Sequence, residues 1–149
     1  MSRFILLVLF LVFAFCICAQ TPVMPALGDG TLDNPYQIAT WQNLYWITVS
    51  GTVDGFTQEE RWLKNYVQTS DIDFSTAIPS INSWDNGAGW SPIGYGDYPD
   101  NSIVNFKGSY NGSNFSISNL YINRPSDNNL GFFGVTRFAD ITNVKLINV

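Results

Sequence analysis

The chain has 149 residues, 46% of them apolar and 13% charged, with a formal net charge of −5 and no histidine. Its Lys and Arg residues are few and scattered, which excludes a phosphate-neutralising surface, so nucleic acid is not an expected partner. The apolar residues are concentrated at one end: every residue from Phe4 to Ala19 is apolar, directly after Arg3. A basic residue followed by such a run reads as a secretory signal peptide over residues 1–19, cleaved between Ala19 and Gln20. The run of about sixteen residues approaches the roughly 17 that just cross a bilayer, so a membrane anchor is the alternative. A lipid-modified cysteine is another, although neither Cys16 nor Cys18 follows the small residue that modification needs. The polar, Pro-containing sequence that comes next favours cleavage and release, leaving a secreted or cell-surface chain with no membrane segment.

Removal of residues 1–19 takes away both cysteines and Arg3, leaving 6 basic residues against 12 acidic ones. An exported chain with neither Cys nor His has no disulfide, no thiol nucleophile, no Cys/His zinc site and no His-based triad. The remaining length of about 130 residues is enough for one core.

Along the exported part, Pro22 and Pro25 oppose a helix, so residues 20–27 read as an extended linker. Gly28-Asp29-Gly30-Thr31 and Asp33-Asn34-Pro35 are turn chemistry, after which Tyr36 to Ile38 reads as a short strand. Thr40 is placed to cap a helix with Trp41, Leu44, Tyr45 and Ile47 on roughly one face. Thr57-Gln58-Glu59-Glu60 is a capping box, with Trp62 and Leu63 as the apolar side of a second brief helix. From Lys64 onward the text is strand-like, rich in Asn, Ser, Asp and Gly. Residues 82–101 form the longest connection and hold Trp84, Trp90, Tyr95 and Tyr98 among glycines and prolines.

The end of the chain aligns on itself with a shift of 24. Phe115 falls over Ala139, Ile117 over Ile141, Asn119 over Asn143, Leu120 over Val144 and Ile122 over Leu146. Within each copy the apolar alternation slips one step at the asparagine. In a flat strand that slip sends half the apolar side chains to the wrong face, so a bend at Asn119 is predicted. Short strands meeting at corners and recurring along the chain match one coil of a parallel β-helix, with Asn119 and Asn143 stacked at a corner. An antiparallel sandwich is the other architecture with strands at this spacing.

These residues carry a resemblance. Phe106-x-Gly108-x-Tyr110-Asn111-Gly112, then residues 115–122, then Gly131-Phe132-Phe133-Gly134, resemble the GLUG-repeat proteins, with Phe132 where Leu is usual. Upstream, Gly28 to Thr31, Asn34 to Ile38, Asp71 to Phe74 and Trp90 to Gly94 are similar to the segment that precedes those repeats. The resemblance covers residues 28–149. It implies an all-β fold, the start of a right-handed parallel β-helix: an N-terminal cap segment with short helices and an aromatic loop over residues 28–105, then GLUG-like coils over 106–149. It further implies a non-catalytic scaffold or binding region of a bacterial surface or adhesin-like protein, with a carbohydrate or a host or cell-surface protein as partner. The alternative is the N-terminal accessory region of a secreted hydrolase, a metallopeptidase or polysaccharide-degrading enzyme, whose catalytic domain lies beyond residue 149. A solenoid needs a cap on its last apolar rung, and Val144, Leu146, Ile147 and Val149 supply none, so the sequence reads as part of a longer protein.

Three features carry candidate chemistry. Asp71 and Asp73 are the tightest carboxylate pair and point the same way on a strand, as a glycosidase acid and base would, but no third polar partner accompanies them and no catalytic residue is expected. The same two, with Asp97, Asp100 and Asp127, are candidate oxygen ligands for Ca²⁺, although no EF-hand-type loop is present and no cofactor is otherwise expected. Trp84, Trp90, Tyr95 and Tyr98 read either as a lid over an open end of the core or as a platform for sugar rings. Asn111-Gly112-Ser113 and Asn114-Phe115-Ser116 match the N-glycosylation acceptor pattern and read as turns in a bacterial protein.

Overall fold

The computed structural model describes residues 20–95 and 105–149, so the leader expected at residues 1–19 lies outside the described part. The strands are short because each covers one side of a narrow core before the chain turns away. In order, the elements are β1 (Tyr36–Ile38), α1 (Trp41–Thr48), α2 (Gln58–Arg61), β2 (Asn65–Gln68), β3 (Ile72–Asp73), two 3₁₀ segments (Phe74–Thr76 and Ile81–Gly87), β4 (Ser109–Asn111), β5 (Ser116–Ser118), β6 (Asp140–Thr142) and β7 (Lys145–Ile147). They form two sheets, β1-β2-β4-β6 and β3-β5-β7, in which every pairing is parallel. From β2 onward consecutive strands alternate between the sheets, which excludes the antiparallel sandwich. Among the described residues no helix is long and apolar enough to cross a membrane.

Parallel pairing in register places like positions above one another, about 4.8 Å apart. One column runs Tyr36, Tyr66, Tyr110, Ile141. A second runs Ile72, Ile117, Leu146. The upstream members are buried, whereas Ile141 and Leu146 keep 36% and 39% of their surface exposed, because β6 and β7 are the outermost described strands. A buried phenol needs a partner for its hydroxyl. Tyr66 donates to the Arg61 carbonyl at 2.6 Å and Tyr110 to Oε1 of Gln68 at 3.2 Å, and burial raises both phenols above their ordinary pKa.

The bend predicted at Asn119 is present: its φ is 56°, the left-handed region that Asn tolerates better than most residues. The stacking inferred from the 24-residue shift is not. β4 pairs with β6 at a separation of 31 residues and β5 with β7 at 29. Ile141 therefore lies over Tyr110, not Ile117, and Leu146 over Ile117, not Ile122. Asn119 does not stack on Asn143; its amide donates to Asp73 at 2.8 Å, and that of Asn143 to Asn111 at 3.0 Å. The shift misled because successive corners use the same local text. Ile117-Ser118-Asn119-Leu120, Ile141-Thr142-Asn143-Val144 and Leu146-Ile147-Asn148-Val149 each place a left-handed Asn after a strand, with φ of 53° to 56°. Aligning one with the next matches different corners.

The Gly131–Gly134 tetrapeptide bridges to Ile93 in parallel, outside the two sheets. Phe132 stacks on Trp90 with centroids 5.5 Å apart, and Phe133 packs on Phe106 and Tyr110. Ile93 donates to the Phe132 carbonyl and accepts from Gly134. A Cβ at Gly134 would collide with the Gly94 carbonyl, so only glycine allows this approach.

The helices form where their caps predict. Thr40 accepts from Asn43 and the Asn43 side chain accepts from the Thr40 backbone, a capping box that the sequence reading of Thr40 alone did not include. Thr57 and Glu60 make the second box. Trp62 is buried there, but Leu63 is 58% exposed and is not part of the apolar side. Residues 20–27 carry no helix or strand yet are fastened: Val23 exchanges hydrogen bonds with Gln42 and Asn43, and Leu27 accepts from Gln37.

The loop between the helices is held by Arg61. Its buried guanidinium donates to the carbonyls of Val49, Gly51 and Phe56 and lies 5.5 Å from the Trp46 ring centroid. Trp46 in turn donates its indole N–H to Asp54 at 2.8 Å. One cation thereby satisfies three acceptors of a turn whose Val53 and Phe56 pack against the core.

Two outcomes follow from this architecture. Ser118→Cys with Ile147→Cys, partners in register, should form a disulfide on mild oxidation, while Ser118→Cys with Thr142→Cys, the pair implied by the 24-residue shift, should not; mass spectrometry of the oxidised protein distinguishes them. Arg61→Met, which strands the three carbonyls, should lower the unfolding free energy by about 3 kcal/mol in urea titration, and an unchanged midpoint would show that the loop is held by other contacts.

Candidate functional site

Asp71 and Asp73 are exposed at the start and end of the short run that contains β3. Oδ1 of Asp71 accepts from both the backbone N–H and the hydroxyl of Ser116, at 2.6 and 2.8 Å. Oδ1 of Asp73 accepts from the Ser75 N–H and from the Asn119 amide. These bonds favour the ionised form and hold both carboxyls below their ordinary pKa, the Ser116 backbone bond contributing most at Asp71 and the Asn119 amide at Asp73. A glycosidase acid requires the opposite shift. The pair is a clasp between successive rungs. Of the calcium candidates, Asp127 pairs with Arg124 at 3.5 Å and Asp97 and Asp100 lie outside the described residues; among the described residues no three of His, Cys, Asp and Glu converge.

The aromatic loop divides. Trp84 and Trp90 are buried, and neither offers a face to a sugar ring. Trp84 packs on Trp41, Tyr45 and Phe74, and Trp90 on Phe74 and Phe132. Their indole N–H groups donate to Pro79 and Phe132. Tyr95 is 48% exposed, edge-on to Trp62, and Tyr98 lies outside the described residues.

A cleft of about 410 Å³ opens between α1 and this loop, with Tyr45, Thr48, Gln58, Asp85, Ser91 and Tyr95 among its walls. Its volume falls within the ~300–1,000 Å³ of small-molecule sites. The walls are fixed by contacts behind them. Thr48 donates to the Ser91 carbonyl at 2.6 Å, and the Gln58 amide donates to the Thr48 carbonyl. Asp85 and Asn86 both adopt positive φ, 46° and 55°. Arg124 holds Asp85 there through a 2.6 Å ion pair while donating through Nε to the Trp90 carbonyl. Tyr45 lies 4.9 Å from Trp84, centroid to centroid. Burial, and to a lesser degree the Asp85 carboxylate, push its phenol pKa up, and the hydroxyl has no hydrogen-bond partner among the described residues. The cleft therefore combines aromatic surface, one carboxylate and a free phenol, with no activated nucleophile among these groups. Sequence reasoning assigned Tyr45 to the apolar face of α1 and passed over Asp85. The available signal was Asp85-Asn86-Gly87, three residues suited to left-handed backbone after a buried Trp.

No protein-family profile and no solved structure matches the chain. It is 37% identical over 121 residues, 80% of its length, to a protein named Halomucin from Haloquadratum walsbyi. It is 32% identical over 108 residues, 72% of its length, to a protein from Evansella cellulosilytica designated a Gly-rich membrane protein. The aligned part is 1% of the first relative's length and 10% of the second's.

The acid response tests the clasp. Both carboxyls are held below their ordinary pKa in the folded chain, so their contribution is complete above the ordinary carboxylate range and lost as pH falls through the folded values. The double variant Asp71→Asn, Asp73→Asn should melt at a lower temperature than wild type at pH 7 and lose less on going from about pH 5 to pH 3. Parallel melting curves across that range would show that the carboxylates contribute nothing.

Proposed function

We propose that the chain is an exported, non-catalytic segment of a surface protein, wound as the start of a right-handed parallel β-helix of the GLUG-repeat kind. The observation that carries this reading is the column Tyr36, Tyr66, Tyr110, Ile141, read rung by rung in parallel register, with Ile72, Ile117, Leu146 as its counterpart on the second sheet. Residues 89–94 and 131–135, joined by the parallel bridge between Ile93 and Phe133, supply the third side of each coil in this reading. Such a rod presents polar side chains at fixed intervals and serves as a rigid display surface.

The names of the two relatives, Halomucin and a Gly-rich membrane protein, support a surface location. The use of Asp71 and Asp73 as structural clasps supports a non-catalytic role for this pair. Expression of the full chain with a C-terminal tag in a bacterial host should give a product outside the cytoplasm whose first residue is Gln20 by N-terminal mass spectrometry. An intact chain beginning at Met1 and confined to the cytoplasm would overturn the reading.

A further inference from the structure

We infer that the cleft between α1 and the Trp84–Tyr95 loop is a binding site for a neutral saccharide. The inference rests on the surface-scaffold reading for its context, but its argument comes from the cleft itself. Sugar rings are recognised by a flat apolar face for their C–H side together with donors and acceptors for their hydroxyls. Tyr45 and Tyr95 supply aromatic faces at the wall, one half-buried and backed by Trp84, the other exposed and backed by Trp62.

The polar groups fit hydroxyls better than charges. Asp85 is an acceptor held in a 2.6 Å ion pair with Arg124, which it shares with Asp127 at 3.5 Å, so its charge is partly offset. A free anion finds no exposed cation among the walls. The Tyr45 hydroxyl both donates and accepts, as a sugar hydroxyl does, and has no partner among the described residues. At the wall of the open cleft it is available to water, which a sugar hydroxyl can replace.

The backbone supports the same assignment. Two successive non-glycine residues at positive φ, a region that Asp and Asn tolerate better than most residues, bring Asp85 to the wall. Arg124 reaches across from a different part of the chain to keep it there, with its guanidinium bonded to both Asp85 and the Gly89 carbonyl. The site is thus organised before a ligand arrives, which reduces the cost of binding.

The test uses the full chain on an array of neutral oligosaccharides of glucose, galactose, mannose and N-acetylglucosamine, with each hit titrated calorimetrically. Wild type should bind at least one of them. Tyr45→Phe, which keeps the ring and removes only the hydroxyl, and Tyr95→Ala, at an exposed position, should each weaken that binding by about tenfold with unchanged melting temperature. Phe138→Ala, 91% exposed and not in the cleft wall, should leave it unchanged. Failure of every neutral sugar to bind, binding indifferent to both tyrosine variants, or choline bound in place of sugars would overturn the inference. An exported chain that binds none of these sugars would remove the saccharide site and leave the scaffold reading standing.

Discussion

Hydrogen bonds between parallel strands set neighbouring rungs about 4.8 Å apart, and whatever points inward must fill that interval in every layer. Tyr36, Tyr66 and Tyr110 meet the condition by lying in register, with the rings of Tyr36 and Tyr66 tilted 31° at 5.9 Å. The Tyr36 ring covers that of Tyr66, which packs in turn on Phe106, so burial is obtained from strands of only two to four residues. The polar ends then require fixed partners, and those partners lie outside the sheets' own hydrogen-bond ladders. Tyr66 reaches the Arg61 carbonyl and Tyr110 reaches Gln68, whose own amide donates to Ser70 and Ser116. Column packing and the placement of the preceding helix are therefore one problem with one solution.

The same spacing governs the exposed corners. A chain that must turn sharply after two or three residues needs left-handed backbone at the turn, and Asn adopts it while offering an amide along the stack. Asn119 and Asn143 use that amide on an acceptor of the neighbouring rung, Asp73 and Asn111 respectively. Carboxylates in this setting are acceptors for rung-to-rung bonds, which explains why a pair that resembles an acid and base in one dimension has pKa values lowered for structural reasons. The described residues include no cysteine and no histidine, and such clasps together with the buried Arg61 fasten the chain across its rungs.

The aromatic residues divide by which side of the core they meet. Trp84 and Trp90 close over Phe74, and their indole N–H groups are satisfied by carbonyls, so they behave as core. Tyr45 and Tyr95 lie one layer further out, against Trp84 and Trp62. The cleft between α1 and the Trp84–Tyr95 loop is lined by that outer aromatic layer and by Asp85 of the positive-φ turn.

Local features were legible in the sequence because local interactions decide them. Thr40 and Thr57 cap helices through bonds to residues three positions away, the strand at Tyr36 to Ile38 follows a turn-rich run, and the slip in alternation at Asn119 requires a bend whatever surrounds it. The apolar columns were legible as positions but not as partners. Which rung lies over which depends on how many residues each excursion inserts between strands, 31 for β4 to β6 and 29 for β5 to β7, and corners with the same text make a one-dimensional alignment choose the wrong pair. The roles of Arg61, Tyr45 and Asp85 were hidden for a related reason. Each is defined by groups 5 to 40 residues distant, carbonyls for the guanidinium, Asp85 for the phenol and Arg124 for the carboxylate, that only the folded chain brings together. The sequence by itself determined where the chain turns and which side chains seek the interior; tertiary structure decided their partners, because parallel stacking joins residues whose separation no local interaction specifies.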